Sequence, residues 1–352
     1  MSAPPSPRGH LRWLSALLIV GVLSAIAVER GGVGRSDASV LRRQGPCDRP
    51  HVGRLVYRWP LRPFDRPHPI RGSFGDPRTV VDEGPLGTDS AHTSGTFSFH
   101  NGVDIVARAG SGVFPVVSGT AEIGYGDEVI VETGEGRIFQ YFHVRPAVRP
   151  GQRVIAYRTM LGRTLPRWGH LHLTEIDGFR VHNPLDPGHL EPYQDSTVPT
   201  VGDVNFTTSD GSELDSRAVR GTILISVDVH DATALPVASA WYGVPVAPAL
   251  VTWRLKNSRG RIVLPTRIVA DFRHTEPPRR EFWKVYASGT YQNFPAFGDT
   301  YFYGRPGRYL FNLTPTPLNT TRFRNGRYEL TVTGVDTCGN RTAATTYLRV
   351  RN

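Results

Sequence analysis

The chain of 352 residues has little methionine and little cysteine, 2 of each, and nearly all of its 41 Lys+Arg are arginine. It has no heptad repeat and no long amphipathic helical pattern, which excludes coiled coils and helical bundles. It also lacks any Lys/Arg-rich run, basic stripe at helical spacing or nucleic-acid signature. The formal net charge of +10 therefore reads as a basic surface suited to anionic surroundings, such as the polymers of a cell wall, and not as a nucleic-acid site. What is abundant is Gly 37 and Pro 29, a profile of many turns and short strands. With 39% hydrophobic and 20% charged residues a packed core is expected, and the length suggests two domains plus tails.

The N-terminus carries Arg8 and Arg12 and no acid, then an apolar run from Trp13 to Val28 that Glu29 and Arg30 end. Ala25-Ile26-Ala27 supplies a small-x-small cleavage pattern. Residues 1–27 read as a cleaved signal peptide, or as an uncleaved signal anchor that would tie the protein to a membrane. Either way the rest of the chain is expected outside the cytoplasm, secreted or in the cell envelope. Cys47 and Cys338 could bridge the N-terminal arm to the C-terminal region in an oxidising compartment, or be two unrelated thiols.

Residues 28–53 read as a linker. From 54 to 196, short apolar runs broken by Gly predict strands over 102–106, 112–117, 128–132, 137–144 and 170–176. From 197 to 352 a second strand-rich block alternates Ile223, Ile225, Val227 and Val229, then Tyr328, Leu330 and Val332, as one buried face of a sandwich sheet does. Its closing hairpin around 335–340 resembles bacterial immunoglobulin-like modules. The fold class is all-β: an antiparallel, Gly-rich sheet domain followed by an immunoglobulin-like β-sandwich. The aromatic stretch at Tyr286, Tyr291, Phe294, Phe297, Tyr301, Phe302 and Tyr303 reads as core or as a binding surface.

Of 12 histidines, the informative ones lie between 100 and 172. His100 and Asp104 are four apart. His170 and His172 are two apart, which in a strand puts both on one face. His143 lies in an apparent strand, in Tyr141-Phe-His143. Imidazole and carboxylate suit Zn2+, whose catalytic sites take three protein ligands and keep one position for water. Each pair alone is a weak signal; their joint context is not. His92, His182 and His189 match no motif position, and adjacent Asp82 and Glu83 would face opposite ways in a strand.

Taken together, residues 54–196 resemble the lysostaphin/LytM-type zinc metallopeptidases, which cleave peptide cross-links in bacterial peptidoglycan. The resemblance rests on Pro69-Ile-Arg-Gly-Ser-Phe-Gly-Asp-Pro-Arg78, His100-x-Gly-x-Asp104, Gly112–Gly119, Tyr141-x-His143, Val148–Val154 and His170-Leu-His172. It implies that His100, Asp104 and His172 bind zinc, and that His143 and His170 are the catalytic histidines that polarise the water and stabilise the transition state. It implies an exported peptide-bond hydrolase whose partners are peptidoglycan peptides. The alternatives are a catalytically silent wall-binding or hydrolase-activating adaptor, and a metallopeptidase acting on a non-wall peptide. Two departures stand out. The family's His-Leu-His-Phe-Glu is His170-Leu-His-Leu-Thr-Glu175 here, which turns the carboxylate to the opposite face. Trp168 and Arg167 replace small loop residues beside the site, as groove residues or as surface residues.

Overall fold

Strand segments dominate the computed structural model, in several antiparallel sheets, so the fold is all-β. It describes Cys47 and residues 56–81, 95–124, 126–166, 168–237, 242–292 and 306–352. The signal segment, His92, Asp82, Glu83, Arg167 and the aromatics from Phe294 to Tyr303 lie outside the described residues. Among the described residues no helix is long and apolar enough to cross a membrane.

The larger sheet has eight strands. Its path runs Ile70–Gly72, Val103–Val106, His170–Asp177, Arg137–Phe142, Glu128–Glu132, Gly119–Ile123 and Gln152–Val154, and Arg180–His182 pairs with His170–Asp177. One face buries Val103, Ile105, Val129, Val131, Phe139, Tyr141, Leu171 and Leu173 around Trp59. Val144–Pro146, Gly162–Thr164 and Gly112–Val113 form a small separate sheet.

Two of the expected strands are shorter than their apolar runs. The run from 112 forms a strand only over Gly112–Val113, because Pro115 has no N–H to give a ladder. The run from 137 ends at Phe142 and resumes at Val144 in the other sheet. His143, expected within a strand, sits at the break with φ +66°.

From residue 200 onward two four-stranded sheets share one core. Thr200–Thr207, Thr222–His230, Leu310–Asn312 and Leu318–Asn319 make the first; Ile262–Asp271, Leu250–Asn257, Gly326–Val335 and Arg341–Val350 make the second. The alternating Ile223, Ile225, Val227 and Val229 meet Val251, Trp253, Leu255, Leu330 and Val332. Tyr286 is wholly buried in this core. Cys47 and Cys338 are joined as a disulfide, with Cα atoms 5.0 Å apart.

The C-terminal core does not stop at residue 200. The hairpin of Pro77–Val81 and Gly95–Phe99 sends Phe99 into it, and the turn before the hairpin sends Phe74. Asp76 is fully buried, and its carboxylate accepts from the N–H of Ala247 at 2.7 Å and of Ser73 at 2.9 Å. Tyr286 donates to the carbonyl of Gly75 at 2.7 Å. Gly75 itself has φ +86°, and a Cβ there would lie 2.4 Å from the Phe272 ring, so only glycine fits. Gln44–Asn352 accordingly form one compact unit.

Candidate metal centre

The strand His170–Asp177 is buried from His170 to Glu175, yet only one face is apolar. Leu171 and Leu173 point into the core, while His170, His172 and Thr174 share the other face. Buried polar side chains need partners, and the neighbouring strand provides one. Antiparallel pairing sets His172 directly across from Asp104. His100 enters just before that strand, two residues ahead of Gly102. A Cβ at Gly102 would meet the Leu173 carbonyl at 2.2 Å and His172 Nε2 at 2.8 Å, which explains the glycine between His100 and Asp104.

Three donor atoms converge. His100 Nε2 is 2.9 Å from His172 Nδ1, and Asp104 Oδ1 is 3.1 Å from each. The three residues are at most 9% exposed. His100 Nδ1 donates to the Ser73 carbonyl at 2.8 Å, so its Nε2 holds a lone pair. His172 Nε2 lies 2.8 Å from Thr174 Oγ1, a hydroxyl that can accept its proton; in that tautomer the lone pair is on Nδ1. With His172 in that tautomer, two lone pairs and a carboxylate oxygen face one another. Tetrahedral bonds of about 2.0–2.1 Å would set such donors roughly 3.3 Å apart. The donor set fits a divalent cation.

Charge around the triangle favours the ligand forms. Asp104 Oδ2 accepts from Arg78 at 2.8 Å and pairs with Arg71 at 3.0 Å. Burial pushes the Asp104 carboxyl up, but His100, His170, Arg71 and Arg78 outweigh it and hold it well below the ordinary carboxylate range. Burial, aided by the charge of Arg78, pushes His100 down to about 3. A neutral imidazole and an ionised carboxylate are the states a metal needs.

Two further histidines flank the triangle. His170 donates from Nδ1 to the Trp168 carbonyl at 2.7 Å; its Nε2 lies 3.3 Å from Arg71 Nη2 and 3.5 Å from Asp104 Oδ1. Burial and then the Arg71 charge push it well below the ordinary range. His143 stacks on the Trp168 ring at 4.1 Å and meets the His170 ring edge-on at 4.7 Å. Its Nδ1 is held by Asp127 Oδ2 at 3.0 Å. Burial lowers its pKa and Asp127 opposes that. The left-handed backbone at His143 is uncommon for a residue with a side chain and marks a position held by its surroundings. A cleft of about 510 Å³ opens onto all five residues.

The structure thus gathers His100, Asp104, His172, His143 and His170 in one place, and sets Trp168 against His143. Glu175 does lie on the opposite face, where Tyr57, His189 and Arg137 all hydrogen-bond to it. Its place beside His172 is taken by Thr174. His189 stays with Glu175, and His182 stacks on His189 at 6.1 Å. The roles of Arg71, Ser73 and Arg78 were missed although these residues lie in the Pro69–Arg78 segment. Thr174 was legible as the same-face residue two beyond His172. Asp127 left no sequence signal. No family model matches this chain, and no curated protein matches it.

Proposed function

We propose that the chain is an exported zinc metalloendopeptidase that hydrolyses peptide bonds in bacterial peptidoglycan, in stem peptides or cross-bridges. The observation that carries this reading is the buried triangle of His100, Asp104 and His172, open to a cleft that also holds His143 and His170. The likeness of residues 54–196 to lysostaphin/LytM-type enzymes supplies the substrate class. Three protein donors, not four, are what a catalytic zinc site uses.

His100, Asp104 and His172 would hold the zinc, which supplies Lewis-acid activation of water and of the peptide carbonyl. Asp127 holds the Nδ1 proton of His143, so Nε2 is the atom that takes a proton from the water and returns it to the departing amine. Asp127 also favours the imidazolium that forms between those two steps. His170 has its proton committed to the Trp168 carbonyl, so its Nε2 accepts from Arg71 and holds that guanidinium beside the cleft. The Arg71 guanidinium beside it supports negative charge developing on the carbonyl oxygen. The Cys47–Cys338 disulfide supports a site of action outside the cytoplasm.

The test is to incubate the chain lacking residues 1–27 with isolated peptidoglycan, with and without a zinc chelator, and to assay new free amines by mass spectrometry. Amines that the chelator abolishes are expected. His172→Ala should lose metal and turnover together. His143→Ala should keep zinc and lose about 10²–10⁴-fold in turnover. One bound zinc without any new amines would replace this reading with a wall-binding or hydrolase-activating adaptor. Full metal stoichiometry in His172→Ala would remove that residue from the ligand set.

A further inference from the structure

The cleft is not built by the first 200 residues alone. After the strand Ile262–Asp271 the chain crosses onto the larger sheet. Asn183 Nδ2 donates to the Phe272 carbonyl at 3.0 Å, and His274 Nδ1 meets Asp186 Oδ2 at 2.8 Å. Thr275 bridges His182, and the N–H of Glu276 donates to the Val181 carbonyl at 3.0 Å. The segment from Phe272 is therefore laid along Arg180–His182 like an added strand. Arg279 Nε then donates to the Phe97 carbonyl at 3.0 Å. This path brings Glu276 and Arg279 into the wall of the same cleft as His100, His143 and His172.

Glu276 is half-buried in that wall, and its carboxylate makes no ion pair or side-chain hydrogen bond among the described residues. Burial, with no cation against it, pushes the carboxyl up to about 7. Two buried acids of the same sheet are matched by charge: Asp104 by two arginines, and Glu175 by Arg137 together with Tyr57 and His189. A desolvated acceptor without a partner favours a ligand that brings a cation and disfavours the neutral analogue.

We propose that Glu276 is a specificity-determining residue: its carboxylate takes a cationic amine of the peptide substrate, so that the C-terminal module forms part of the substrate site. This rests on the reading of the cleft as a peptidase site. The probe is a set of soluble muropeptides prepared with a muramidase, with their free amines intact or blocked by acetic anhydride. Their equilibrium binding to the full metal-loaded chain is measured beside amine release from whole peptidoglycan. Wild type should bind the intact set about tenfold more tightly than the acetylated one. Glu276→Gln should bind both equally, at the weaker level, with unchanged metal content, and Glu276→Asp should regain part of the preference.

A wild type indifferent to acetylation or unable to bind either set, or a Glu276→Gln that keeps the preference, overturns the proposal. If amine release persists in that case, the peptidase reading stands without it. If the preference is present and depends on Glu276 while no bond is cut, the role of Glu276 in recognition stands and the peptidase reading falls.

Discussion

Among the described residues, two places bring the ligand atoms of three candidate metal-binding side chains within 4.8 Å of one another: His100, Asp104 and His172, and the all-carboxylate set of Asp195, Asp231 and Asp336. They solve the problem of buried polarity in opposite ways. In the first, the Ser73 carbonyl takes the His100 ring proton, the Thr174 hydroxyl engages the outer nitrogen of His172, and two arginines hold the single carboxylate ionised. In the second, burial pushes Asp231 and Asp336 up to about 7 each, and the neighbouring carboxylates push in the same direction. Thr197 and Asn340 occupy oxygens of Asp195 and Asp336. The space beside the second set is only about 20 Å³, against about 510 Å³ beside the first. Proximity of ligand-type residues is therefore a poor guide. Where the protons and counter-charges go, and whether a substrate can enter, separates the two.

The largest expected effect tests that contrast directly. Asp104→Asn should lower bound metal and cut turnover on the order of 10³-fold, whereas Asp231→Asn should leave both within about twofold. Metal content by elemental analysis decides, and an Asp231→Asn variant that loses its metal would reverse the comparison. A smaller effect is expected at Thr174, which fixes the His172 ring. Thr174→Val keeps the shape and should weaken metal affinity about 10–100-fold in competition with a chelating dye; unchanged affinity would show that the ring needs no such anchor.

The smallest effect concerns stability. The folded-state pKa of Asp231 is raised above an unfolded value near 3.8. Its favourable contribution is therefore complete below that value and is lost as pH rises towards about 7. Asp231→Asn should then gain on wild type between pH 4 and pH 8, on the order of 2 kcal/mol, in denaturant titrations. The histidine contributions cancel in that difference, and a constant gap across the range would mean that Asp231 does not titrate with folding.

The same contrast explains what was legible in the sequence. His170 and His172 share a face because strand period is two, and the alternation at Ile223–Val229 places one sheet face in a core; both are local facts. Glu175 could be assigned to the far face on the same ground. The break at His143 was not legible, because a left-handed residue with a side chain is imposed by its surroundings. Asp127, Arg71 and Glu276 were out of reach for a different reason. Each acquires its role from a partner or an opening assembled by distant segments, and no spacing encodes that. The continuity of Phe74 and Phe99 with the C-terminal core was hidden in the same way, since an isolated Phe in a Gly-rich segment carries no address.

The turn from Ser73 to Asp76 has one further consequence. Its Ser73 carbonyl orients His100, yet the turn is pinned by Ala247, 171 residues away, and by Tyr286, 211 residues from Gly75. Contacts of such span close slowly, because the intervening chain must first be ordered. A nascent or truncated polypeptide that ends after His172 but before Ala247 contains all five histidine and aspartate positions but lacks the clamp on the turn that orients His100. In the time course of synthesis, competence at this site is among the last properties the chain acquires.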